Sequence, residues 1–183
     1  MLWKIISGLK RQKIIFHTRF MRWLGVCMEP SSEIHPFFDT NRPQRIFLGK
    51  KVVLYKNITM YCGNGKIEIG AFSHCAPFCY FLCNQGTIKI GEKVAVGPYS
   101  CFFTYSNSYD PLDRSKDFVD CKLEADVVVG NNVFIGARSV ILPGTVIEDN
   151  VIVAAGSVVK GRLPEGFIYG GSPAKQIKRI WKE

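Results

Sequence analysis

From Val129 onward a branched aliphatic residue recurs at every sixth position: Val129, Ile135, Ile141, Ile147, Val153 and Val159. Four residues after the first five of these stand Val133, Ser139, Thr145, Val151 and Ser157, small or β-branched throughout, and Gly130 and Gly136 directly follow two of the aliphatics. A helical period of 3.6 does not generate this spacing. The same frame runs backwards through Leu48, Leu54 and Met60, then Ile69, Cys75 and Phe81, then Ile90, Val96 and Phe102. Val52, Ile58, Ser73, Cys79, Val94 and Ser100 fill the corresponding fourth positions. Within a triplet the step is six. Between triplets it is nine, from 60 to 69 and from 81 to 90, and 27 from 102 to 129. Every insertion therefore follows a third hexapeptide, which predicts a three-sided prism of about 18 residues per coil. Each hexapeptide supplies one short strand and one corner. The aliphatic points inward, and the residue four further on must be small to fit near the corner. Five such coils stack through parallel ladders, so none is stable alone and both open ends need covering.

The predicted organisation is all-β, a β-helix over residues 46–161 with an extended loop at 103–126. Residues 1–26 predict a basic amphipathic helix. Trp3, Ile5, Ile6, Leu9, Ile14, Ile15 and Phe16 alternate there with Lys4, Lys10, Arg11, Lys13, Arg19 and Arg22, and residues 1–24 contain no acid. Two uses fit it: a cap packed on the prism, or peripheral contact with a membrane interface. Residues 27–45, with Pro30, Pro36 and Pro43, read as a linker, and 162–183 as a short C-terminal tail.

Composition narrows the function. A chain of 183 residues, 47% hydrophobic and 21% charged, reads as one domain with material for a core and not as a disordered segment. Its 24 Lys and Arg against 15 Asp and Glu leave +9, which favours an anionic partner. Nucleic acid is not expected, because the cations concentrate at the two ends and no nucleic-acid-binding motif is present. Seven cysteines without a CxxC pair do not describe a disulfide framework and point to a reducing compartment. Cys75, Cys79 and Cys83, spaced by four, would suggest a metal only on a helix, which this stretch does not predict; no metal is expected. No apolar run reaches the roughly 18 residues of a spanning helix, and the expected location is cytoplasmic.

The segment VVVGNNVFIGARSVILPGTVIEDNVIVAAGSVV, followed by YGGSPAKQIKRI, resembles the hexapeptide-repeat acyltransferases of the left-handed parallel β-helix type. The resemblance covers roughly residues 46–181. Within that family it looks most like the sugar O-acetyltransferases, those of galactoside, maltose and surface polysaccharides. The resemblance implies a left-handed coil, acetyl-CoA as co-substrate, a sugar or glycan acceptor, and a homotrimer with its sites between neighbouring prisms. It also implies a cofactor groove along the last two coils at Ala137 and Ala155, with Phe134 in place of the family's usual Trp. Lys160, Gly171, Pro173, Lys175 and Lys178 match further cofactor positions, and Tyr109 and Asp110 fall on the acceptor side. In relatives the long loop reaches over the next subunit.

One residue departs from the pattern. Acetyl transfer to a hydroxyl needs a base for the hydroxyl proton and donors for the developing oxyanion. The family places a His five residues after the last inward aliphatic of the third coil. Counting from Phe102 gives Asn107, in FFTYSNSYDPLD, and an amide has no usable basicity near neutral pH. The chain's three histidines are His17, His35 and His74. His74 falls at a different corner and reads as structural. Three explanations stay open: an engineered His to Asn change, a natural loss or alteration of catalysis, or a base elsewhere such as Asp110. Asp110 itself reads either as the acid that orients the family's imidazole or as an opener of the turn at Pro111. The expected function is O-acetylation of a sugar hydroxyl. Its alternative is a non-catalytic trimer of the same fold that binds coenzyme A or acts as a scaffold.

Overall fold

The computed structural model describes residues 2–181, with side chains from residue 6 onward. A helix, Leu2–Trp23, precedes a parallel β-solenoid whose coils wind in the left-handed sense. Three parallel sheets form the sides of the prism. The first contains Ile46–Leu48, Lys66–Ile69, Thr87–Ile90, Val127–Val129 and Val146–Ile147. Val53–Leu54, His74–Cys75, Ala95–Val96, Phe134–Ile135 and Ile152–Val153 belong to the second. The third holds Thr59–Cys62, Tyr80–Cys83, Cys101–Phe103, Val140–Ile141 and Val158–Val159. Every aliphatic of the six-residue frame is buried in one continuous core, where the rings of Phe81 and Phe102 stack at 4.7 Å.

The small residues four positions on are buried too, and their hydroxyls explain the choice. Ser73 donates to the Gly91 carbonyl at 2.9 Å, Ser139 to Gly136 at 2.7 Å and Ser157 to Ala154 at 2.6 Å. Each satisfies a corner carbonyl that the sheets cannot reach.

Two of the three corners are built on a left-handed residue. Between the first and second faces these are Lys51, Phe72, Lys93, Asn132 and Asn150; between the second and third, Phe37, Asn57, Phe78, Tyr99, Arg138 and Gly156. A non-glycine residue in this region costs about 1–2 kcal/mol. The coil-to-coil bonding offsets it. The corner N–H donates to the carbonyl just before the equivalent corner of the preceding coil, as in Phe72 to Lys50 at 2.8 Å, Asn132 to Glu92 at 2.8 Å and Arg138 to Pro98 at 2.9 Å. At the third corner the left-handed conformation is used by glycine in the two short later turns, Gly144 and Gly161, and the insertions occupy that corner in the earlier coils.

Residues 27–45 are not a linker. Cys27–Met28, Glu33–Ile34 and Asp39–Thr40 form a complete coil, paired in parallel with the next through Cys27 and Phe47, Glu33 and Val53, and Asp39 and Thr59. Pro36 occupies the same corner position as Pro77 and Pro98, two residues past the inward side chain, so a residue that reads as punctuation is part of the repeat. The solenoid thus begins before residue 46, and it continues after 161 through Arg162–Leu163 and Phe167–Gly171. The tail at 162–183 is therefore partly solenoid. At Ser172 and Pro173 the chain reverses, and Ala174–Arg179 runs antiparallel along the second sheet.

The helix covers the open N-terminal end. Thr18 and Met21 are buried and Ile14 and His17 half-buried, a single helical face. The Thr18 hydroxyl accepts from the Ile34 N–H at 3.0 Å and donates to the Ile34 carbonyl at 3.1 Å, while His17 Nδ1 lies 3.2 Å from the same carbonyl. The terminal strand of the second sheet is so relieved of its unpaired edge. Cys62, Cys75, Cys79 and Cys83 are all buried; Cys62 and Cys83 are neighbours in the third sheet, and Cys75 lies in the second. Burial pushes the Cys75 thiol well up and that of Cys79 up to about 12, which keeps both as neutral apolar groups. Among the described residues no helix is long and apolar enough to cross a membrane.

Thr18→Val keeps the shape but leaves the buried Ile34 N–H without an acceptor. Chemical denaturation should show a loss of about 1–3 kcal/mol. A loss no larger than that of an exposed substitution such as Gln12→Ala would show that the edge is closed by packing alone.

Candidate functional site

After Phe103 the chain leaves the third face and forms a hairpin, Tyr105–Asn107 against Lys122–Glu124, that stands out from the corner. Acidic residues fasten its base to the preceding coil. Glu124 accepts from the N–H groups of Gln85 and Gly86, and Asp126 from Thr87 at 2.7 Å. Asn107 sits on the last rung, directly across from Lys122, whose Nζ donates to Asn107 Oδ1 at 2.9 Å. Beyond this rung the loop closes over a cleft of about 630 Å3 lined by Asn107, Tyr109, Asp110, Arg114, Lys116 and Phe118.

Asp110 is engaged by its own loop. Its carboxylate accepts from Lys116 Nζ at 2.6 Å and from the Leu112 N–H at 3.0 Å, the turn-opening arrangement. The Lys116 ammonium, and after it the Leu112 N–H, holds the carboxyl below its ordinary range. Such a group is a weaker base than an unpaired carboxylate.

The histidines lie elsewhere. His17 is on the capping helix, and His35 packs against Tyr55 with ring centroids 5.0 Å apart. Burial lowers the pKa of His35, partly offset by Glu33. His74 lies on the second face, edge-on to Tyr55 at 6.3 Å. The histidines thus gather by the capped end and the second face, while the loop departs from the corner between the third face and the first.

The residues expected on the donor side divide into groups. Ala137, Ala155 and Gly171 stand two residues past the inward Ile135, Val153 and Tyr169, which are neighbours in the second sheet, and so form one column along the edge between the second and third faces. Backbone crowds backbone within it: a Cβ on Gly136 would lie 2.4 Å from the Ala155 nitrogen. Toward solvent the edge is open, since a Cβ on Gly156 would meet nothing within 4 Å. Pro173 follows the column and turns the chain, placing Lys175 opposite Gly170 and Lys178 opposite Ile168, both exposed. Phe134 is exposed at the other end of the second face, beside a cavity of about 240 Å3 shared with Lys93, Asn132, Ile152 and Trp181. Lys160 follows Val158–Val159 and belongs to the loop's corner. Asn107, Tyr109 and Asp110 therefore sit at one corner of a single chain, and the column of Ala137, Ala155 and Gly171 at another.

Two features escaped the sequence reading. Lys122 becomes the partner of Asn107 only once the hairpin register is known. Beside the column, Phe78 and Tyr99 stack at 4.9 Å with 2° between planes, and the Arg138 guanidinium lies 5.8 Å from the Tyr99 ring. These three share the left-handed corner position, three residues past the inward side chain, and that spacing was available in the six-residue frame.

Comparison with known proteins agrees with this architecture. The model of the bacterial transferase hexapeptide, six repeats, matches residues 126–161. WbbJ of Escherichia coli (strain K12), which carries the provisional name of a lipopolysaccharide biosynthesis O-acetyl transferase, is 47% identical over 115 residues, 62% of this chain and 57% of that protein. Galactoside O-acetyltransferase of Escherichia coli (strain K12) is 30% identical over 105 residues, 57% of this chain and 50% of the other. The chain thus spans about half the length of these curated relatives. Among solved structures, a point mutant of AntD, an N-acyltransferase from Bacillus cereus, in complex with dTDP-4-amino-4,6-dideoxyglucose and coenzyme A, superposes with a TM-score of 0.77 over 90% of this chain and 89% of its own. At 22% identity that likeness is one of fold. The hexapeptide-repeat acetyltransferase VCA0836 of Vibrio cholerae O1 biovar eltor, complexed with acetyl coenzyme A, gives 0.61 at 25% identity over 88% of this chain and 75% of its own.

The pairing inside the loop has a direct readout. In Lys116→Ala the Asp110 carboxyl, followed by NMR, should titrate at higher pH than in the unsubstituted chain. The deprotonated form loses its ammonium partner, so the shift is upward. An unchanged titration would mean that Lys116 does not hold Asp110 in solution.

Proposed function

We propose that this chain, whose residues 126–161 match the bacterial transferase hexapeptide, transfers an acetyl group from acetyl-CoA to a hydroxyl of a sugar or glycan in surface-polysaccharide biosynthesis. It does so as a cytoplasmic homotrimer. The observation that carries this reading is the open edge of Ala137, Ala155 and Gly171, leading into the basic turn and strand of Pro173, Lys175 and Lys178. An extended arm with amides needs exposed backbone partners along a groove, and a phosphorylated nucleotide needs cations at its end. The chain supplies the two in sequence. The absence of a Cβ at Gly156 leaves that edge accessible. Acetyl-CoA brings the activated acyl group, and the protein binds it, orients the acceptor and supplies hydrogen-bond donors.

The separation of the two halves within one chain supports a site shared between subunits, with the loop of one prism meeting the donor edge of its neighbour. Resemblance to WbbJ supports the polysaccharide setting, and the seven free cysteines support a reducing compartment. On the acceptor side Tyr109 offers an exposed ring, and Asn107 offers its Nδ2 donor because Oδ1 is taken by Lys122. This pair presents donors and no base. A hydroxyl acceptor is therefore acetylated slowly, by positioning and electrostatics without assisted proton removal. The same observation favours a second reading, a trimer that binds coenzyme A without turnover.

Calorimetry should show that the chain binds coenzyme A. Lys175→Ala or Lys178→Ala should weaken binding by roughly 1–2 kcal/mol through loss of a charge-assisted contact. Absence of binding by the unsubstituted chain would overturn both readings.

Restoring a base separates them. Asn107→His should raise turnover on a sugar acceptor, and Asn107→His with Lys122→Met should come nearer the 10²–10⁴-fold that a positioned base usually contributes, about that range being expected. Activity of either form should fall at acid pH as the imidazole protonates. If coenzyme A binds but neither form acetylates any sugar in a broad panel, the non-catalytic reading stands.

A further inference from the structure

The helix that closes the prism has a second face. Its inner side, Ile14, His17, Thr18 and Met21, is spent on the solenoid. Leu9, Phe16, Phe20 and Trp23 form another row around the helix and are 55%, 74%, 41% and 78% exposed. The Phe20 and Trp23 rings stack at 5.9 Å and so join into one exposed apolar patch. A capping element normally turns a polar face to water. This one turns aromatic side chains outward, an arrangement that marks an interaction surface.

Charge identifies the partner. Lys13 and Arg19 flank the row at helical spacing, and the first acid of the chain is Glu29. Glu33 lies on the inner side, where its carboxylate is paired with Arg11 at 2.7 Å. The outward face is therefore apolar at its centre, cationic at its edges and free of carboxylates. A second copy of the same helix would set like charges against each other. An apolar surface bordered by anions satisfies both features, as a bilayer interface does when it contains acidic headgroups. We infer that the outward face of Leu2–Trp23 docks the protein on an anionic lipid surface, with Phe16, Phe20 and Trp23 entering the boundary between headgroups and acyl chains while Lys13 and Arg19 contact lipid phosphates. The bonds from Thr18 to Ile34 fix the helix to the prism end, so the solenoid axis points away from the membrane plane. This inference is independent of which reaction the solenoid performs.

Sedimentation of the full chain with vesicles tests it. Phosphatidylcholine vesicles containing phosphatidylglycerol should carry the protein down, and vesicles of phosphatidylcholine alone should bind it about tenfold less or more weakly still. Binding should weaken as salt is raised, because the cationic contribution is screened. Trp23→Ser with Phe16→Ser, and separately Lys13→Glu with Arg19→Glu, should each lower binding to the anionic vesicles about tenfold or more. Thermal melting unchanged from the unsubstituted chain establishes that these exposed substitutions leave the fold intact. For any variant whose melting falls, Trp23→Ser alone replaces it. Protein remaining in the supernatant with anionic vesicles overturns the inference, as does equal binding by both variants. It is likewise overturned if Trp23→Ser halves the particle mass in light scattering, which would assign the apolar row to a second copy.

Discussion

The bond repeated along two corners, from the left-handed residue's N–H to the carbonyl just before the equivalent residue of the coil before it, sets the terms for everything else in this structure. It is made only if the corner residue is left-handed, and the corner is in register only if six residues separate one inward side chain from the next. A slip of one residue would turn each buried aliphatic to solvent and bring a different residue into the strained corner. That coupling explains why bulky residues such as Phe72, Phe78 and Tyr99 are tolerated where glycine or asparagine is usual. Their side chains project outward at a corner, and the coil-to-coil bond retains the conformation.

A solenoid bonded in this way has unpaired backbone only at its two ends, and the chain closes each with an element that carries other chemistry. At the N-terminal end a helix answers Ile34 through the Thr18 hydroxyl. Toward the C-terminal end Ala174–Arg179 lies antiparallel on the second sheet and completes its edge. The first closure brings an apolar and cationic outer face, the second a pair of exposed lysines beside the open column of Ala137, Ala155 and Gly171. The elements that cover the two edges are thus the same ones to which the proposed binding surfaces are assigned.

The repeat was legible because its spacing is a hard requirement of the backbone, and each inward position from Leu48 to Val159 falls on a buried strand residue. The first coil was not. Its inward triplet is Met28, Ile34 and Thr40, with a polar residue third, and Pro30, Pro36 and Pro43 suggest a linker to any reading based on local propensity. Pro36 is recognised as a corner residue only beside Pro77 and Pro98. The candidate site followed the same division. Ala137 and Ala155 fall in one column because the repeat sets their register, while their expected role came from the family resemblance. The partner of Asn107 depends on where a loop outside the repeat turns back, and no periodicity reports that.

Lys122 bears on how Asn107 should be understood. A histidine acting as base at this position must become a cation during the reaction, and an ammonium on the same rung would oppose that charge. An amide has no such conflict, since its oxygen accepts from Lys122 and its nitrogen remains available as a donor. Asn107 and Lys122 are thus matched across the hairpin, whereas histidine and Lys122 would not be. A single exchange of His for Asn in an otherwise ordinary site would leave the opposite residue suited to imidazole. The pairing across the hairpin is therefore one that an amide satisfies at both residues, and it accords with the proposal that residue 107 serves as a donor and not as a base.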